Sequence, residues 1–132
     1  MKKANYEADE IVCSHCGKKL MENVGMSMIS IVSNNDGKVV AFNPCCKGAC
    51  DKALKIKGMS NDWKELGELT NPYGYLKYFM AVLNNEHEGG VFANEESFDN
   101  FKSLMISLYP YVTRDLTESE IESANFMQSM PF

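Results

Sequence analysis

The chain has 132 residues, 45% of them hydrophobic and 11% aromatic, which fits one domain with a real core or a small finger joined to a compact second half. Its formal charge of −5 is unevenly placed, with nine lysines against six acidic residues over 1–57 and four basic against twelve acidic over 58–132. That balance excludes a protein coated with phosphate-binding cations, and no apolar run reaches the roughly twenty residues that span a bilayer.

In chain order, Met1-Lys2-Lys3-Ala4-Asn5-Tyr6-Glu7 carries no apolar signal segment, so a cytoplasmic location and no membrane partner are expected. Cys13-Ser14-His15-Cys16-Gly17 follows as a knuckle. Two residues between the cysteines aim both sulfurs at one point, and Gly17 can take the left-handed conformation such a turn uses. Met26 to Val32 and Lys38 to Phe42 are β-branched or apolar runs on either side of Ser33-Asn34-Asn35-Asp36-Gly37, which predicts a hairpin closed by Asp-Gly. Asn43-Pro44 is expected to break the second strand. Cys46 to Lys57 then reads as a helix with Cys46, Cys50, Ala53 and Leu54 inward and Gly58 stopping it.

All five cysteines thus fall in two clusters, and the pattern predicts one structural zinc ion held by Cys13, Cys16, Cys46 and Cys50. Spacing alone leaves Cys45 as an alternative to Cys46, and His15 as a further donor. Disulfides do not suit an odd number of cysteines without a secretory signal. A redox pair belongs between a strand and a helix, whereas a hairpin follows this one. Four protein ligands leave no open position for a substrate, so the metal itself does not imply catalysis.

The order knuckle, hairpin, ligand-bearing helix is that of a treble-clef finger. Cys13-Ser14-His15-Cys16-Gly17-Lys18-Lys19-Leu20, Asn35-Asp36-Gly37-Lys38-Val39, Phe42 and the spacing from Cys46 to Cys50 resemble the small zinc protein of the archaeal and eukaryotic large ribosomal subunit and its TRASH and MYM relatives. The resemblance covers residues 11–58. It implies a treble-clef fold with a zinc ion. The ribosomal proteins bind RNA with a strongly basic surface, which this chain lacks, and its stretch between the ligand pairs is longer.

The second half, 59–132, reads as an acidic helical region of about three helices, with Gly58 to Asn71 as the seam that joins it to the finger. Asn71-Pro72 caps and starts a helix over Tyr73 to Asn84, and its apolar stripe of Leu76, Phe79, Met80 and Leu83, widened by Tyr75, Tyr78 and Val82, predicts a helix sandwiched between neighbours. Asn94-Glu95-Glu96 opens a second helix that runs to Tyr109-Pro110 with Phe98, Phe101, Leu104, Met105 and Leu108 at helical spacing. Thr117-x-x-Glu120 is a capping box that opens a third, followed by an apolar tail from Phe126 to Phe132. The fold class is therefore α+β.

No phosphate loop, metalloprotease motif or nucleophile elbow is present, and His87 between Glu86 and Glu88 lacks catalytic partners. Cys45 reads as a buried spare thiol. The leading expectation is a non-enzymatic, zinc-stabilised protein-interaction or inhibitory module, a small regulator whose acidic surface meets a basic, nucleic-acid-handling partner. Its partner residues are expected among Glu95, Glu96 and Asp99 at one helix start and Glu118, Glu120 and Glu122 at another. The second expectation is a nucleic-acid-binding regulator that uses Lys18, Lys19, Lys38, Lys47, Lys52, Lys55 and Lys57. An enzyme with an unrecognised site comes third.

Overall fold

Ser27–Ser33 (β1) lies at the centre of the computed structural model, which describes residues 10–113 together with residues 118, 119 and 122. β1 pairs antiparallel with Val39–Cys46 (β2) on one side and with Ser60–Glu65 (β3) on the other, so the sheet order is β2-β1-β3. Six of its seven residues are buried, as befits a strand covered on both edges and both faces.

β1 and β2 form the expected hairpin. Asn34 builds its turn by accepting the N–H groups of Asp36 and Lys38 on its side-chain oxygen, at 3.0 Å each, and Gly37 adopts a φ of +75°. The second arm does not stop at Asn43-Pro44 but continues to Cys46, with Pro44 opposite Ile29. The physical reason is that β2 is an edge strand. Pro44 turns its backbone outward, where the N–H it lacks costs β1 nothing, and its carbonyl accepts the Ser14 N–H at 2.8 Å. Further along the same outer edge, Val39 exchanges backbone hydrogen bonds with Val91 and Ala93, at 2.7 and 2.9 Å.

The stretch that reads as a seam holds structure of its own. Trp63 of β3 stands opposite Ser30, and β3 leads directly into Leu66–Thr70 (α2), whose Leu66 and Leu69 are fully buried. Pro72–Glu88 (α3) starts as expected, with the Asn71 side chain accepting the Tyr73 N–H at 2.8 Å. Its first turn crosses α2 so closely that a Cβ on Gly74 would lie 2.0 Å from the Glu68 carbonyl oxygen. Glu95–Val112 (α4) is opened by a capping box between Asn94 and Ser97, and it carries Pro110 within its last turn rather than stopping there.

Apolar residues from both halves meet in one core. Phe101 of α4 sits at its middle, with ring centroids 5.4 Å from Phe42 of β2, 5.5 Å from Phe92 and 6.3 Å from Phe79 of α3. Among the described residues α3 is less covered than a sandwiched helix: Val82 is its one buried residue, with α2 and the aromatic side chains of α4 packed against it. The expected capping box at Thr117 and Glu120 and the tail from Phe126 to Phe132 lie outside the described residues. No described helix is long and apolar enough to cross a membrane.

Candidate metal centre and partner surface

The knuckle is a tight antiparallel turn. Val12 and Lys19 face each other in a bridge, the Cys13 N–H donates to the Lys18 carbonyl at 2.8 Å, and Gly17, at a φ of +79°, returns its N–H to the Cys13 carbonyl at 2.9 Å. This fold of the backbone points the His15 and Cys16 N–H groups at the Cys13 sulfur, each at 3.4 Å. Burial pushes the Cys13 thiol up, but these donors and the N–H of Cys46 outweigh it and bring it down to about 6 from an ordinary 9.0. These donors favour the thiolate form of Cys13.

The second pair is delivered differently from expectation. Cys46 does not open a helix; it is the last residue of β2. Lys47 and Gly48 then turn the chain, Gly48 at a φ of +90°, and Ala49–Leu54 (α1) begins afterwards with Cys50 in its first turn. The helix is also shorter than predicted, and Ala53 is exposed, so that of the residues expected to face inward on it Cys50 and Leu54 are half-buried. A strand end and a helix start converge because the turn between them is tight. Lys47 fixes that turn: its N–H donates to the Met26 carbonyl at 3.0 Å, and its ammonium bridges the Gly25 carbonyl at 3.0 Å and the Glu65 carboxylate at 2.7 Å.

The Sγ atoms of Cys13, Cys16, Cys46 and Cys50 all lie within 4.8 Å of one another, and the pair Cys16 and Cys46 is 3.8 Å apart. A tetrahedral ion with bonds of about 2.3 Å to sulfur spaces its ligands by about 3.8 Å, so the donor set can close on one metal ion. Without a cation the sulfurs oppose one another: burial and then the neighbouring Cys13 and Cys16 sulfurs push the Cys46 thiol up and the Cys50 thiol up to about 12. A dication reverses that repulsion.

Cys45 stands outside the cluster. Successive strand residues face opposite ways, so Cys45, paired with Met28 in the sheet and fully buried, is turned away from Cys46. Burial, then the Asp51 carboxylate and Cys13, push its thiol up to about 12. The His15 side chain is exposed, and its part in the knuckle is its backbone N–H.

Three of the seven lysines expected to form a phosphate face are already engaged. Lys47 is held as described, Lys19 pairs with Glu10 at 3.4 Å, and the Lys38 ammonium donates to the carbonyls of Gly89 and Gly90. Lys18, Lys52, Lys55 and Lys57 are exposed. Of the acidic residues, Glu95, Glu96 and Asp99 are exposed at the start of α4, with Asp99 3.2 Å from Lys102. Glu118 and Glu122 are exposed, and Glu120 lies outside the described residues. His87 is exposed near the end of α3, and the Glu86 carboxylate beside it is occupied in accepting the Val91 N–H at 2.7 Å.

One feature escapes the sequence reading. A groove of about 430 Å³ runs between α3 and α4, lined by Phe79, Leu83, Phe98 and Met105 among others. Leu83 and Phe98 sit at stripe positions that read as core, yet they are 49% and 42% exposed. No protein-family model matches this chain, and neither a curated protein nor a solved structure is similar to it.

Proposed function

We propose that this chain is a non-enzymatic, zinc-stabilised protein-interaction module, a small regulator that acts on a basic, nucleic-acid-handling partner through its acidic surface. The observation that carries the zinc reading is the gathering of four sulfurs within 4.8 Å. An all-thiolate set of this size favours zinc over hard cations such as magnesium and calcium. With four protein ligands the ion is structural, and its energy goes into joining the knuckle, β2 and α1 in a treble-clef-like arrangement. Cysteines gathered as metal-binding thiolates suit a reducing, cytoplasmic setting.

The interaction reading draws its support from the exposed carboxylates Glu95, Glu96 and Asp99 and from the exposed apolar residues beside them. The engagement of Lys19, Lys38 and Lys47 weighs against a nucleic-acid-binding finger, since it leaves fewer cations to displace counterions. The test is capture of the partner from the native host by the zinc-loaded chain, followed by association kinetics with the purified partner. Reversing Glu95, Glu96 and Asp99 to Lys is expected to slow association and flatten its salt dependence. A captured species that is RNA or DNA, bound tightly at moderate salt, would refute the reading.

A further inference from the structure

β3 ends the sheet, and the order β2-β1-β3 leaves its outer edge without a strand among the described residues. Pro44 settles which backbone groups that edge offers. The Pro44 carbonyl turns away from β1 to accept the Ser14 N–H, so the opposed pair Ile29 and Pro44 is not hydrogen-bonded, and Ile29 turns its own backbone groups toward Lys64 of β3. Alternation along β3 then turns the backbone of Trp63 outward, with Asn61 and Glu65 on either side of it. The Trp63 N–H agrees with this, since it donates at 2.8 Å to the side chain of Asp62, the residue before it. The edge is open: Ser60, Asn61, Asp62 and Trp63 are all exposed, Trp63 to 53%.

The side chains along this edge complement themselves. Asp62, Trp63 and Lys64 run acid, ring, base, so reversing the strand direction exchanges the two charges. An antiparallel ladder opposes outward residues to outward ones, so a two-fold axis between two copies of β3 falls on a residue rather than between two. On Asp62 or on Lys64 it brings like charges together, which destabilises the pair. On Trp63 it sets Asp62 of each copy opposite Lys64 of the other, as a non-hydrogen-bonded pair with Cα atoms about 4.5 Å apart, and lays the two Trp63 rings side by side. Among the described residues neither Asp62 nor Lys64 forms an ion pair. The Lys64 ammonium lies 5.5 Å from the centre of the Tyr78 ring, a contact that gives its three N–H donors no oxygen acceptor. The bond from the Trp63 N–H to Asp62 stands where a ladder bond belongs: a neighbouring strand's carbonyl takes that N–H and releases the carboxylate.

We propose that two copies of this chain associate through their β3 strands, antiparallel about a two-fold axis at Trp63, so that the two sheets become one. The dimer is independent of the acidic surface at the start of α4 and stands or falls apart from it. A single pair of short strands buries less than a standard interface, so the association is weak and reversible, with a dissociation constant of about 10–100 μM. Its specificity comes from the two Asp62–Lys64 pairs, which fix the register.

The test is sedimentation velocity on the full zinc-loaded chain from about 1 to 500 μM, a range that brackets the expected constant. Trp63 is the chain's one tryptophan, so its emission reports on the same edge and is expected to shift to the blue as the dimer forms. Asp62→Lys and Lys64→Asp each set like charges against each other in a self-pair, and each alone is expected to weaken association about tenfold or more. Mixed in equal amounts, the two variants are complementary, and a heterodimer is expected to form with nearly the original affinity. Circular dichroism and zinc content of each variant are measured alongside. A chain that stays monomeric throughout the range would overturn the proposal, as would a dimer whose formation leaves the Trp63 emission unchanged. A dimer indifferent to both variants, or a mixture of the folded variants that associates no better than either alone, would overturn it too.

Discussion

The two ends of this molecule are held together by different physics. Around the cysteines apolar burial is one-sided: Ile11, Cys13 and Leu20 anchor the base of the knuckle in the core, but Cys16 is exposed and α1 contains no buried residue. At the other end α4 alone buries six residues, and Phe101 packs against rings from β2, α3 and the α3–α4 loop. One end brings together four sulfurs that a cation could tie to one point. The other is ordered by area removed from water. The comparison teaches that a short segment with one-sided burial can still be specific if its few strong contacts converge, and that such a segment fails all at once when one contact is lost.

The largest expected effect breaks the first end. Cys16→Ser, or stripping zinc with a chelator, is expected to cost about 5 kcal/mol or more of apparent stability, since structural zinc sites contribute more than most side-chain contacts. Hydrogen exchange should show the loss in the knuckle and α1 first and in α4 last. Uniform loss across both ends would mean that the core depends on the metal as much as the finger does.

The second prediction strikes the other end. Phe101→Ala is expected to destabilise by about 3–5 kcal/mol, the usual cost of removing a buried ring, with zinc content unchanged. Urea unfolding followed together with metal analysis separates the two readouts. A smaller loss, about 1–3 kcal/mol, is expected for Gly74→Ala, because its methyl group meets the Glu68 carbonyl and α2 must shift from α3. A neutral outcome there would show that α2 is not fixed against α3.

The smallest stability effect belongs to the surface. Reversing Glu118, Glu120 and Glu122 to Lys should leave stability within about 1 kcal/mol, as for other exposed charges, while slowing association with a basic partner. Association indifferent to this change and to the matching change at Glu95, Glu96 and Asp99 would reduce the acidic half to a solvated face.

What the sequence discloses follows the same division. The knuckle, the Asp36-Gly37 turn and the caps at Asn71 and Asn94 are legible because each is a local device in which one side chain satisfies a nearby backbone group. Long-range decisions are hidden. Ser60-Asn61-Asp62-Trp63 shows no apolar alternation, and it becomes β3 because β1 has a second edge to be paired. Pro44 looks like a breaker, and it is tolerated because β2 is an edge strand with no further strand needing that N–H, a fact of topology rather than of residue type. The spacing of Cys46 and Cys50 suits one helical face, yet a strand end, the Lys47-Gly48 turn and the start of α1 bring the same two sulfurs together. The groove is hidden for a related reason, since Leu83 and Phe98 have the pattern of core residues without the cover.

Metal content per chain, measured by native mass spectrometry on the starting protein and on Cys45→Ala and Cys46→Ala, tests the central claim most directly. Because Cys45 faces away from the sulfur cluster and Cys46 belongs to it, the account predicts one zinc in the starting protein, one in Cys45→Ala, and marked loss in Cys46→Ala. Absence of zinc from the starting protein prepared without chelator, or loss on replacing Cys45 while Cys46→Ala keeps the ion, would contradict it.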